Sequence, residues 1–341
     1  MTNAAAPQGS PSWAATDLGT LGGTFSAAFG VNEKGQIVGE STTFGDAADH
    51  AFSWTKKDGM IDLGTLGGDF SRANAVNEKG LVVGLSSIAD GTIHPFSWTK
   101  KDGMVELGTL SGFTVGGAWG VSDDGEIVGH SANLDANGTE PDSHAFSLTK
   151  KDGMVDLGAL SPALPWSIAL GVNDKGLSVG FSRAADFSLF RAVAWTKKDG
   201  AVGLGTISAA YPNNFGNAVN ADGLVVGQAS AEDFSSSRAF SWTKKGGMVD
   251  VGVLGGIFTE SYGVGVSDDG RIVGGSSTPF DGSEHAFSWT KKEGMVDLGL
   301  LDGFPNSYAT GVNNSGMIVG SGETAFYDNF HAAVWQSTGK H

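Results

Sequence analysis

The stretch Gly30-Val31-Asn32-Glu33-Lys34-Gly35-Gln36-Ile37-Val38-Gly39 decides the fold. Val31 and Ile37-Val38 are β-formers, and the Asn-Glu-Lys-Gly between them is turn chemistry. The segment therefore reads as strand, tight turn, strand. The same pattern returns at 75–84, 120–129, 171–180, 218–227, 265–274 and 311–320, with closing glycines stepping by 45, 45, 51, 47, 47 and 46 residues. Self-similarity at this period takes precedence over length, because such units stack into one body.

Working outward, the first full repeat holds four strand candidates, at 27–32, 36–41, 50–55 and 60–66. Hairpin links join neighbours, so each unit is expected to be a four-stranded antiparallel meander. Four strands per repeat, repeated seven times, is the signature of β-propeller blades. The first strand-like segment, 14–21, matches the fourth strand of the repeat, and the last, 331–335, matches the third. Pairing them would close the ring and remove an open edge. The expectation is an all-β, seven-bladed propeller over 13–336, with tails at 1–12 and 337–341.

Composition narrows the partners. The chain of 341 residues has no Cys, which excludes disulfides and thiol chemistry. A net charge of −16 argues against nucleic acid, which needs clustered Lys and Arg. No apolar run reaches the length of a membrane helix, and 1–12 shows no secretory signal. A monomer is expected.

His-Ala-Phe at 50–52, 144–146 and 285–287, with Asp-Leu-Gly-Thr-Leu-Gly-Gly at 62–68, resembles the HAF repeat, a probable extracellular bacterial repeat family. Arg191 and Arg238 stand where His is expected. The resemblance implies export to the periplasm or cell exterior and brings no catalytic residues.

Comparison of repeats within the chain separates residues kept for the fold from candidates for function. Trp54, Trp98, Trp195, Trp242, Trp289 and Trp335 recur mid-strand, which favours packing between blades. His50, His94, His144, Arg191, Arg238, His285 and His331 form a recurring basic position. A local bond to a carboxylate of the preceding loop, such as Asp49, Asp142 or Glu284, is expected there.

The two ends of a propeller differ in this chain. One end, the bottom, carries the turns within each hairpin and mixes lysines with acids. The other end, the top, has seventeen acidic residues against four arginines. A face so charged suits a cationic, neutral or metal-bridged ligand better than a polyanion. The innermost strands vary from repeat to repeat at two positions: Ala27, Arg72, Gly117, Ile168, Phe215, Tyr262, Tyr308, and Phe29, Asn74, Trp119, Leu170, Asn217, Val264, Thr310. Variation near the axis, with aromatics concentrated there, describes one asymmetric pocket for a small molecule or neutral glycan.

His130 is the leading acid–base candidate, with Glu40, Tyr262, Tyr308 and Arg72 as further catalytic candidates. Trp119, Trp166, Phe215, Asn74, Asn217, Gln228, Arg183, Glu323 and Tyr327 are candidate ligand-binding residues. No nucleophile elbow, His-Glu-x-x-His or calcium loop is present, so no cofactor is expected and calcium is only a weak alternative. Two readings stand: a pocket-bearing enzyme (lyase, hydrolase or isomerase) and a non-catalytic binding module, lectin-like or protein-binding.

Overall fold

The computed structural model describes residues 12–135, 138, 142–255, 260–278, 283–324 and 329–338. Among these the chain is strand and turn, with a single short 3₁₀ segment at Phe44–Asp46. None of its helical segments is long and apolar enough to cross a membrane.

The founding stretch folds as its turn chemistry requires. Asn32 Oδ1 accepts the N–H groups of Lys34 and Gln36, and Gly35 takes the left-handed conformation (φ 72°) that the tight turn needs. The first full unit then runs Gly22–Val31, Ile37–Thr43, Asp49–Thr55 and Gly59–Asp62, each strand antiparallel to the next. Its fourth strand is shorter than expected. Asp62 Oδ1 accepts the N–H of Gly64 at 2.7 Å, and Gly64 has φ 73°, so an aspartate turn ends the strand there.

The other innermost strands are Gly67–Val76, Val115–Val121, Trp166–Val172, Asn213–Val219, Ser261–Val266 and Asn306–Val312. The strands form five four-stranded sheets and one of eight. In the eight-stranded sheet, two meanders are joined by one parallel bridge between Asp49 and Phe70. Trp13–Asp17 pairs antiparallel with Phe330–Ser337, in register Trp13 to Ser337.

The recurring glycine of the second strand has a steric cause. A Cβ on Gly39 would lie 1.9 Å from the Ala27 carbonyl oxygen. The corresponding distance is 1.8–2.0 Å at Gly84, Gly129, Gly180, Gly227, Gly274 and Gly320. No side chain fits there, and in five of the units a Phe of the third strand covers the same spot, as Phe52 does over Gly39; Val193 and Ala333 stand opposite Gly180 and Gly320.

The core lies between neighbouring sheets. Val38, Ala51 and Leu63 of the first unit pack on Ala73, Val82 and Phe96 of the second. Leu18, Ile37 and Phe52 pack on Val319, Ala332 and Val334 from the far end of the sequence. The recurring tryptophans belong to these clusters: Trp195 and Trp335 are fully buried, and Trp54, Trp98, Trp242 and Trp289 are partly buried against them. Serines staple the sheets: Ser71 Oγ accepts the Ala51 N–H and donates to the Gly64 carbonyl, and Ser26 does the same between Ala332 and Gly19.

The basic position pairs differently from the sequence expectation. His50, His94, His144, His285 and His331 bond through Nδ1 to Asp62, Glu106, Asp156, Asp297 and Asp17, at 2.6–2.9 Å. These carboxylates end the fourth strand; they are not those of the preceding loop. Arg238 reaches Asp250 in the same way at 3.5 Å. Where Arg191 replaces His, the fourth strand ends in Gly203, and the guanidinium bonds to the carbonyls of Phe190 and Pro212 instead.

Candidate functional site along the axis

Each innermost strand shares one irregularity in its pairing with the second strand, and the first two carry another near their start, between Gly22 and Ser26 and between Gly67 and Ser71. The shared one falls between Ala28 and Gly30, Ala73 and Ala75, Ala118 and Gly120, Ala169 and Gly171, Gly216 and Ala218, Gly263 and Gly265, and Ala309 and Gly311. The residue skipped each time is the variable one: Phe29, Asn74, Trp119, Leu170, Asn217, Val264 or Thr310. A β-bulge re-aims the extra side chain and bends its strand. All seven bulge residues, together with Arg72, line one cavity of about 430 Å³.

The bulge residues split by chemistry. Phe29, Trp119, Leu170 and Val264 supply an apolar wall. Asn74 and Asn217 donate to the carbonyls of Ala118 and Gly263, each at 2.8 Å, and Thr310 donates to Ala28 at 2.8 Å. These three polar groups therefore bind one inner strand to the next while facing the cavity. Arg72 stands over Phe29 at 4.4 Å and Trp119 at 5.4 Å, and its Nε donates to Asn74 Oδ1 at 2.8 Å. Burial holds its pKa below the usual arginine value, partly offset by the Glu40 charge.

A second cavity, of about 410 Å³, shares Phe29 and Arg72 with the first and is completed by Glu40, Tyr308, Ser321, Glu323 and Phe330 among others. Burial raises the Glu40 carboxyl to about 7 against the pull of Arg72. Burial raises Glu323 to about 7 as well, with hydrogen bonding from Tyr308 opposing the rise and Glu284 adding to it. Glu323 is 2 % exposed, and its Oε2 has no hydrogen-bond partner. Tyr262 stacks on Tyr308 with ring centroids 6.1 Å apart and donates to Glu284 Oε2 at 3.1 Å. Burial, followed by the neighbouring negative groups, pushes the Tyr262 hydroxyl well above its usual value. Tyr308 is raised as well, by burial first.

The structure thus brings Glu40, Arg72, Tyr308 and Glu323 around one cavity and Asn74, Trp119 and Asn217 around the other. Tyr262 supports Tyr308 from behind. His130 lines neither cavity: it is 6 % exposed, and its Nδ1 accepts the Trp119 indole N–H at 2.9 Å. That bond makes it a support for Trp119, set back from both cavities. Trp166 and Arg183 form a separate stack, with the guanidinium 4.4 Å from the Trp166 ring and 3.7 Å from Phe187. Phe215 packs with Phe181 and Phe190 at 5.1 and 4.9 Å. Gln228 is opposite Phe215 in the strand register and lines neither cavity. Tyr327 lies outside the described residues. Among the described residues, no three His, Asp or Glu side chains are grouped as a metal ion requires.

No family model matches the chain, and no curated protein does. Solved structures do. Virginiamycin B lyase from Staphylococcus aureus superposes with TM-score 0.62 at 10% identity, covering 95% of this chain and 99% of that one. An acylaminoacyl peptidase from Pyrococcus horikoshii gives 0.56 at 11% identity, over 96% of this chain and 54% of that one. The fold is a β-propeller. The chain spans about half the length of that peptidase. At these identities the likeness is one of architecture.

Proposed function

We propose that the axis carries a single asymmetric site binding one small molecule, on a monomeric seven-bladed propeller. Here the eight-stranded sheet counts as two blades, and the pairing of Trp13–Asp17 with Phe330–Ser337 is the ring closure. The observation that carries the reading is that seven bulges aim residues of six kinds into one cavity. Seven equal sites, as in a repeat lectin, would need seven alike residues there. The aromatic wall of Phe29 and Trp119 suits a flat apolar face or a sugar ring. Glu40, Tyr308 and Glu323 suit its polar edge. The HAF-repeat resemblance adds an exported setting.

Two carboxyl groups that ionise near neutral pH also suit acid–base turnover of the ligand, as a lyase, hydrolase or isomerase would use them. The non-catalytic reading draws on the engagement of His130 with Trp119, which leaves no histidine on either cavity wall. A thermal-shift screen of neutral sugars, aromatic small molecules and amines tests the site. The expected hit raises the Tm of the wild type and not of Trp119→Ala. Hits that stabilise both proteins equally, or no hit in any class, would remove the reading.

A further inference from the structure

Glu323 breaks a rule that the rest of the chain keeps. Its position, three residues after the steric glycine, is Thr42, Ser87, Ala132, Ser230 and Ser277 in five other repeats. Four of these are buried, and Thr42 is half-buried. The only other charged residue there is Arg183, whose guanidinium lies on Trp166 and Phe187. Glu323 has a cavity wall in place of such a partner.

A buried carboxylate is costly unless a positive charge or several donors meet it. The protein groups around Glu323 do not supply that charge. Tyr308 donates to it, and Tyr262 and Glu284 stand behind Tyr308, with Glu260 adding a further negative charge against Glu284. Across the cavity stand Glu40 and Arg72, and the arginine is already held by Asn74, Phe29 and Trp119. Arg72, the one arginine or lysine on this cavity's wall, is thus committed toward the axial cavity, and two carboxyl groups face it.

We propose that this second cavity binds the ammonium group of an organic cation, with Glu323 as its counter-charge and the Tyr308 ring as one wall. The inference rests on the small-molecule reading above and adds the charge of the ligand. Tyrosine faces attract ammonium ions, so the ring adds to the pull of the carboxylate. The shared residues Phe29 and Arg72 lead into the axial cavity, where an apolar remainder of the ligand meets Phe29 and Trp119.

The test is a calorimetric titration of the full chain with 2-phenylethylamine and with its neutral counterpart 2-phenylethanol, at pH 6 and pH 8. The amine is expected to bind at pH 8 about tenfold more tightly than at pH 6, because the carboxyl it meets ionises between them. Glu323→Gln, which keeps the shape, should lose amine binding and its pH dependence. Trp119→Ala should weaken both compounds. Equal binding of amine and alcohol, with Glu323→Gln unchanged, would overturn the cation and leave the small-molecule site standing. Binding that survives Trp119→Ala for both compounds would overturn the site itself.

Discussion

The bottom turns and the axial cavity beside them are built from the same strands under opposite demands. At the bottom, repetition is kept. Asn32, Asn77, Asn173, Asn220 and Asn313 each cap their own turn and donate to the backbone of the next repeat at 2.8–3.0 Å. A second circle runs outside it. The N–H of Glu33 meets Glu78, that of Glu78 meets Asp123, and that of Asp123 meets Asp174. It resumes at Ala221, whose N–H meets Asp268, and then passes to Asn314 and back to Glu33. Ala221, which has no side-chain acceptor, is the one break. On the axial cavity, three positions before each of those turns, the bulge residues share a backbone irregularity and little else. Where a side chain holds the next repeat, its identity is fixed by the bond; where it faces a cavity, the fold leaves it free, and that freedom is what a specific site uses.

The largest effect should come from the steric glycines, which serve both ends. Gly84→Ala places a Cβ 1.9 Å from the Arg72 carbonyl oxygen, and backbone cannot yield as a flexible side chain does. Loss of the folded protein, or about 4 kcal/mol or more by denaturant titration, is expected. Toleration of alanine there would mean the second strand is not pinned by that contact.

Asn217, the bulge residue, and Asn220, the turn residue three positions on, sharpen the contrast. Asn220→Ala removes the acceptor for the Asp222 and Leu224 N–H groups and the bond to Ser267, and should cost about 2–3 kcal/mol. Asn217→Ala removes one bond, to Gly263, and should cost about 1 kcal/mol. Equal costs would erase the distinction between turn and cavity positions.

Acid–base behaviour should also localise at the top. Glu40 and Glu323 have folded pKa values of about 7, above the 4.5 of an ordinary glutamate. Between those values the folded chain holds protons that the unfolded chain has released. Stability from these groups is therefore present at pH 4.5 and is lost as the pH rises through 7. Relative to wild type, Glu40→Gln should raise the Tm at pH 8 and leave it unchanged at pH 4.5. A lower Tm at pH 8 would show that the carboxylate is compensated. The smallest effect belongs to the rim: His144→Ala breaks a pair that is over a third exposed on both sides, and should cost no more than about 1 kcal/mol.

Much of this architecture was legible in the sequence. The glycine period marked the second strands, and the spare strand at each terminus marked their pairing. The histidine partners were missed, although each carboxylate lies twelve residues on, or in the N-terminal strand for His331, and Gly203 is its counterpart where Arg191 replaces His. The signal was that paired change within one repeat. The bulges were not legible, because nothing in Ala28-Phe29-Gly30 states that Phe29 is skipped in the ladder. Variation between repeats still picked out the bulge residues, since cavity-facing positions carry no packing demand. His130 looked exceptional by type, whereas burial beneath Trp119 is a tertiary fact. Glu323 was picked out as a ligand residue; its burial and its unpartnered oxygen emerge only from the fold.

The most direct test of a single axial site is a ligand screen by thermal shift on three proteins: wild type, Trp119→Ala on the axial cavity and Lys79→Ala in a bottom turn. The account predicts at least one compound that raises the Tm of the wild type and of Lys79→Ala by the same amount and leaves Trp119→Ala unmoved. A compound whose effect is lost in Lys79→Ala and kept in Trp119→Ala would place the site at the other end and contradict it.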